Sequence, residues 1–176
     1  MLNIQALLKS SILVGLLIPT FAMALESDYS QPVTVESDTQ TADLTQNIAT
    51  FNNNVVIVQG SIKINADKGE IYRAEDGSIK ELKAFGKPAT YTQMMENNRQ
   101  VFAQGETLSY IPQTQIITLE TNASIKQENS TLKGQRIVYN VKTEKMQADG
   151  GKGKGRVTTV FIPDQLKTQI NDSKKK

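Results

Sequence analysis

From Pro32 onward the chain is organised by one pattern: short blocks of alternating apolar and polar residues, separated by turn formers. Val33-Thr34-Val35, Val55-Val56-Ile57-Val58, Ile62-Lys63-Ile64, Thr90-Tyr91-Thr92, Leu108-Ser109-Tyr110, Ile116-Ile117-Thr118-Leu119 and Ile137-Val138-Tyr139 each read as a strand. Side chains alternate faces along a strand, so each block offers one apolar face. Asn52-Asn53-Asn54, Glu75-Asp76-Gly77-Ser78, Gly86-Lys87-Pro88, Glu96-Asn97-Asn98 and Glu128-Asn129-Ser130 read as the turns between them, with Asp76-Gly77 the strongest hairpin signal. No helical periodicity competes after residue 25. Asp164–Ile170 has room for one short helical turn.

A repeat lies under the strands. Residues 48–72 align without a gap onto residues 116–140 at an offset of 68, with Ile48/Ile116, Thr50/Thr118, Asn54/Asn122, Ile57/Ile125 and Gln59/Gln127 identical. Half that offset lays Phe85–Tyr91 over Phe51–Ile57 as an intermediate copy, and a second landmark recurs at Val35-Glu36-Ser37, Ile64-Asn65-Ala66, Val101-Phe102-Ala103 and Leu132-Lys133-Gly134. A period of about 34 residues built from strands means stacked β units, none able to bury its apolar face alone. The choices are a β-solenoid or an elongated double sheet of jelly-roll type. Either has two open ends whose unpaired backbone groups must be capped or used.

The N-terminus differs from all of this. Lys9, the apolar run Ile12–Phe21 and Ala22-Met23-Ala24 have the form of a cleavable secretory signal over residues 1–24. The run is shorter than the roughly 20 residues a membrane span needs, and Pro19 interrupts it. Removing that segment, which holds 16 apolar residues, leaves a chain about 40 % apolar with glycine counted, against roughly 45–50 % for globular domains. The chain has no His, Cys or Trp and a net charge of +2. Thiol chemistry, His-assisted nucleophiles and His/Cys metal sites are thereby excluded, and a nucleic-acid binder would carry a concentrated basic face. Residues 164–176 read as a flexible tail.

Alternation places Val33, Val35, Phe51, Val55, Ile57, Ile62, Ile64, Tyr91, Leu108, Tyr110, Leu119, Ile125, Leu132 and Tyr139 on an inner face. Such a face is either a thin hydrophobic core or the wall of a groove for a chain-like ligand. Three inward tyrosines suit a groove, where a phenol sits at the boundary of apolar wall and water. Among carboxylates, Glu36/Asp38 lie two apart on one expected strand face and Glu75/Asp76 lie in a turn, so solvent exposure explains both without acid–base catalysis. Gly150–Val157 resembles a phosphate loop but ends Gly155-Arg156-Val157 instead of Gly-Lys-Ser/Thr; it reads as a flexible basic hairpin loop able to touch a phosphorylated headgroup.

Four blocks together carry a family resemblance: Ile64-Asn65-Ala66-Asp67-Lys68, Gly86-Lys87-Pro88-Ala89-Thr90-Tyr91, Lys145-Met146-Gln147-Ala148 and Arg156–Leu166. In this order, behind a secretory leader, they resemble the OstA-like (LptA) family of periplasmic lipopolysaccharide-bridge proteins. The resemblance runs from about Pro32 to Leu166 and departs from the pattern in the loops Arg73–Ile79 and Glu96–Gln100. It implies an all-β domain over residues 25–163, an elongated twisted antiparallel β-jellyroll of about sixteen strands, open at both ends. Its apolar interior would hold the acyl chains of lipopolysaccharide in the periplasm, lined by the fourteen inner residues, with no cofactor and no catalysis. Copies would associate head to tail. The N-terminal edge, Val33, Thr34, Val35, Glu36 and Ser37, would meet an inner-membrane export component or an upstream copy. The C-terminal edge, Val157, Thr158, Thr159, Val160, Phe161 and Ile162, would meet an outer-membrane assembly protein or a downstream copy. The alternatives are the membrane-anchored partner of the same export system, a β-solenoid enzyme acting on polysaccharide, and a structural or adhesive solenoid.

Overall fold

The computed structural model describes residues 28–95, 98–153 and 155–162. The expected leader, the helical turn expected at 164–170 and the tail all lie outside these residues. Among the described residues a 3-10 turn at Asp28–Ser30 is followed by ten strands: β1 (Thr34–Glu36), β2 (Thr39–Asp43), β3 (Ile48–Gln59), β4 (Ile62–Arg73), β5 (Ile79–Met94), β6 (Gln100–Ile111), β7 (Ile116–Gln127), β8 (Ser130–Asn140), β9 (Lys145–Asp149) and β10 (Thr158–Phe161). From β3 to β8 each pairs antiparallel with the next; β1 and β2 both pair with β3, and β9 and β10 both pair with β8. The sheet never closes, because among the described residues neither end pairs with the other.

The six long strands are each bent once. At these bends register breaks fall between Asn52 and Val55, Asn65 and Lys68, Phe85 and Ala89, Gln104 and Thr107, and Glu120 and Ala123, and one more, between Tyr72 and Arg73, lies beside the β4–β5 turn. These corners fold the sheet in two. One half holds β1, β10 and the segments near the hairpin turns at Gly60 and Glu128; the other holds β2, β9 and the segments near the turns at Asn47, Gly77 and Gln115. Counted as continuous strands there are ten among the described residues, against an expectation of about sixteen. The six bent strands contribute two straight segments each, and with the four short strands these make sixteen segments. Asn52–Asn54 and Gly86–Pro88, expected to separate strands, are instead corners inside β3 and β5 across which pairing resumes.

Backbone geometry explains the repeat. Asn53 and Asn54 have φ of 59° and 51°, and Thr121 and Asn122, 68 residues later, have 60° and 55°. Asn tolerates this left-handed region because its short polar side chain satisfies nearby backbone groups. The turns repeat as well: Asn47 matches Gln115 and Gly60 matches Glu128, all at positive φ. Midway between them the corner of β5 is Gly86-Lys87-Pro88, with a cis Lys87–Pro88 bond. In β8 the corner residue Gly134 lies so close to β9 that a Cβ there would sit 2.8 Å from the Asp149 carbonyl oxygen. The period of about 34 residues is therefore one outward and one returning bent strand.

The corners also control which residues face in. Along β4 the buried positions are Ile62 and Ile64, then Gly69 and Ile71; along β5, Leu82 and Ala84, then Ala89, Tyr91 and Gln93. One extra residue at each corner shifts the parity while the apolar side stays inside. In β3 and β7 two left-handed residues leave the parity unchanged: Phe51 is followed by Val55 and Ile57, and Leu119 by Ala123 and Ile125. The two halves thus present one continuous apolar cluster to each other. Burying each Ile, Leu or Val side chain contributes about 1.5–3 kcal/mol.

Candidate functional site: an apolar interior between two open edges

Of the fourteen expected inner residues, Phe51, Val55, Ile57, Ile62, Ile64, Tyr91, Leu108, Tyr110, Leu119, Ile125 and Tyr139 are buried. Val33, Val35 and Leu132 are partly buried and pack against the same cluster. They come from both halves of the folded sheet, and Tyr91 of one half meets Tyr110 of the other with ring centroids 6.5 Å apart. Ile71, Leu82, Val101, Ile117 and Ile137 extend the surface. Ile117 and Ile137 are in phase with the expected inner residues Leu119 and Tyr139, whereas Ile71, Leu82 and Val101 lie across a corner from the expected inner residues of their strands, where the parity shifts.

The tyrosines differ from expectation. They do not sit at a boundary with water: Tyr91, Tyr110 and Tyr139 are at most 2 % exposed. The Tyr91 hydroxyl donates to Gln93 Oε1 at 2.5 Å. The hydroxyls of Tyr110 and Tyr139 have no hydrogen-bond partner among the described residues. Burial pushes the phenol pKa of Tyr91 and Tyr110 far up and that of Tyr139 up to about 12, so all three are neutral at physiological pH. Two buried amides, Gln59 and Gln93, also went unread. Each lies two residues beyond an inner apolar residue, and that spacing was the available signal.

The interior opens along the side opposite the corners, where the hairpin turns of the two halves form two lips. Toward the N-terminal end a cavity of about 730 Å³ separates Tyr29, Val33 and Gln59 on one lip from Ile79, Pro112 and Gln115 on the other. The 3-10 turn is fastened beside it. Asp28 Oδ1 accepts the Ser61 N–H at 2.6 Å, and Oδ2 accepts from Ser61 Oγ and Gln93 Nε2 at 2.7 Å each. Toward the C-terminal end a cavity of about 380 Å³ lies against Ile125, Leu132, Met146 and Phe161. Over it Arg99 meets Glu144 in a bidentate pair, Nη1–Oε2 3.0 Å and Nη2–Oε1 2.7 Å. The Arg99 guanidinium holds the Glu144 carboxyl below its ordinary range.

Both expected edge segments lie at sheet edges. β1 covers Thr34–Glu36, flanked by Val33 and Ser37, and β10 covers Thr158–Phe161, flanked by Val157 and Ile162. The Ile162 N–H donates to the Asn129 carbonyl. Alternation then turns Thr158 and Val160 toward β8, leaving the N–H groups of Thr159 and Phe161 facing outward. Val160 and Phe161 are exposed, Phe161 at 73 %. Each edge has a second half that alternation did not reveal, β2 and β9, because Thr39–Asp43 and Lys145–Asp149 carry few apolar residues. Glu36 and Asp38 do not share a strand face as expected: Asp38 sits at the corner between β1 and β2 and accepts both bonds from Asn54 Nδ2, at 3.2 and 3.0 Å. Glu75 and Asp76 lie in the β4–β5 turn, where Asp76 Oδ1 accepts from the Ser78 N–H and Oγ.

Residues 34–145, from β1 to the start of β9, match the family model described as LptA/(LptD N-terminal domain) LPS transport protein. The chain belongs to that family. Among family members it is 42 % identical to the lipopolysaccharide export system protein LptA of Escherichia coli (strain K12), over 97 % of this chain and 90 % of that protein. It is 43 % identical to LptA of Haemophilus influenzae, over 82 % of this chain and 85 % of that one. The crystal structure of LptH, the LptA-homologous periplasmic component of the lipopolysaccharide transport device of Pseudomonas aeruginosa, superposes with a TM-score of 0.73 at 28 % identity, covering 78 % of this chain and all of LptH. The unclosed, twisted antiparallel jellyroll is thus shared with this family member.

Proposed function

We propose that this chain, after loss of residues 1–24, is a periplasmic lipopolysaccharide-binding protein. Copies join head to tail into a bridge that carries lipopolysaccharide from the inner to the outer membrane, with the acyl chains in the apolar interior. The observation that carries this reading is the continuity of the inward apolar cluster from β1 to β9 in a sheet that does not close. Transfer of acyl chains through water costs about 0.8 kcal/mol per exposed CH₂, so a carrier must shield them along the whole path. The fourteen inner residues are the lining in this reading, and the interior must part to admit the chains. No catalytic group is required.

The edges serve assembly by strand addition. β1 and β2 would take an inner-membrane export component or an upstream copy; β9 and β10 would take an outer-membrane assembly protein or a downstream copy. Charge favours that polarity. Residues 34–43 hold Glu36, Asp38 and Asp43 and no Lys or Arg, while residues 142–161 hold five Lys or Arg against Glu144 and Asp149. Opposite charges on the joining ends steer encounter and disfavour joining of like ends. The test is gel filtration of the mature chain with purified lipopolysaccharide across a range of protein and salt concentrations. Co-elution with lipopolysaccharide, in assemblies that lengthen with protein concentration and shorten with salt, is expected. A monomer that leaves lipopolysaccharide in its own peak overturns the reading.

A further inference from the structure

The side of the molecule opposite the corners has a property that the lipid-carrying reading does not by itself require. The six bent strands cover the other side with continuous backbone, so among the described residues the interior faces solvent at its two ends and between the lips. An amphiphile whose tails lie inside and whose polar head is too large and charged to bury must keep that head outside, with its neck between the lips. Movement from the N-terminal to the C-terminal end then slides the neck along the slit. Across the C-terminal third the slit is crossed by side chains: Arg99, just before β6, reaches Glu144, just before β9, with both guanidinium Nη atoms on both carboxylate oxygens.

We propose that the Arg99–Glu144 pair is a latch on this slit, which must open for each polar head that passes toward β10. The inference rests on the lipid-carrying reading and adds to it a moving part and a direction. Three observations support it. The pair joins the lips directly over the C-terminal cavity, whose apolar wall of Ile125, Leu132, Met146 and Phe161 is where tails would lie before leaving. Arg99 has a second carboxylate within reach: Glu128 Oε1 lies 3.8 Å from Nε, in the β7–β8 turn on Arg99's own lip. On release of Glu144 the guanidinium therefore passes to a partner that does not span the slit, and the Glu144 carboxylate, 39 % exposed, is left to water and Gln127. Both side chains of the latch are partly open to water, 30 % for Arg99 and 39 % for Glu144, and a pair so exposed contributes little stability. It opens on thermal motion and recloses, which suits a barrier crossed repeatedly.

The chain contains no cysteine, so the double variant Arg99→Cys/Glu144→Cys places a unique thiol pair across the lips. A short bis(methanethiosulfonate) reagent then ties them covalently: each thiolate displaces a sulfinate and forms a disulfide, which reductant cleaves. The mature double variant, loaded with fluorescently labelled lipopolysaccharide before tying, is mixed with an excess of unlabelled mature chain, and transfer of label is followed. Tying is expected to slow transfer at least tenfold, with full recovery on addition of reductant; Arg99→Gln without any tie is expected to transfer faster than the parent. Equal transfer by tied and untied protein, with Arg99→Gln no faster than the parent, overturns the latch while leaving lipid carriage standing. Failure of the parent chain to take up lipopolysaccharide at all overturns both.

Discussion

The buried tyrosines allow a prediction whose sign differs between residues of the same type. Tyr110 and Tyr139 bury hydroxyls that have no partner among the described residues, whereas the Tyr91 hydroxyl is bonded to Gln93. Burying an unpaired polar group costs about 1–3 kcal/mol. Replacement by Phe keeps the ring and removes that penalty, so Tyr110→Phe should stabilise by about 1 kcal/mol. Tyr139→Phe should do the same. Tyr91→Phe instead deletes a good donor and leaves Gln93 Oε1 unsatisfied inside, for a loss of about 1–2 kcal/mol. The assay is equilibrium urea unfolding of the mature chain. With an m-value of about 2 kcal/mol/M, a gain of 1 kcal/mol raises the midpoint by about 0.5 M at unchanged m; in a thermal melt it appears as roughly 2–4 °C. A Tyr110→Phe variant that is less stable than the parent, or a Tyr91→Phe variant that is no less stable, would refute the assignment of paired and unpaired hydroxyls and with it the picture of a dry interior.

Other expectations follow from the corners, the edges, the 3-10 turn at Asp28–Ser30 and the titrating groups. Thr121 is a β-branched residue held at φ 60°, at the position that Asn53 occupies 68 residues earlier; Thr121→Asn should stabilise by about 0.5–1 kcal/mol, read by the same urea titration. Thr159→Pro removes an N–H that faces away from β8, so it should abolish end-to-end lengthening in light scattering while the melting temperature holds; Val160→Pro removes an inward-facing donor and should lower that temperature. Asp28→Ala releases three acceptor contacts to Ser61 and Gln93 and should speed amide exchange over residues 28–33 by about tenfold, with a stability loss of about 1–2 kcal/mol. All five tyrosines have raised phenol pKa values, four chiefly by burial and Tyr72, up to about 12, chiefly by its bond to Glu70. A raised phenol pKa gives stability that is complete below the unfolded value near 10 and is lost as pH rises toward the folded values. Absorbance at 295 nm should therefore show tyrosine ionisation displaced above the ordinary range and, for the buried phenols, accompanied by unfolding.

Alternation identified the inner face well because every inner residue had to be apolar on a strand whose other face meets water: the fourteen expected residues all lie in or against one cluster. Strand length was not legible. Asn53-Asn54 and Gly86–Pro88 have the composition of turns, and local chemistry does not distinguish a turn that ends a strand from a left-handed corner that bends one while its neighbours stay paired. The repeat held the missing information, since recurrence of such residues at fixed spacing marks stacked corners. β2 escaped notice because all five of its residues are exposed, so nothing selects an apolar alternation there. The Arg99–Glu144 pair joins two surface charges 45 positions apart, and only the folding of one half of the sheet over the other brings them together. The tyrosines were placed at the correct positions but in the wrong medium, because alternation fixes a face and says nothing of how closely the opposite half approaches it.

The central claim is that one face of these strands, from end to end, is what lipopolysaccharide touches. A photo-crosslinking residue placed singly at Ile57 and Tyr91, which are buried inside, and at Val56 and Thr90, which point outward on the same strands, tests this most directly in cells exporting lipopolysaccharide. The account predicts a lipopolysaccharide adduct at 57 and 91 and none at 56 and 90. Equal capture at all four positions, or capture at 56 and 90 alone, would contradict it.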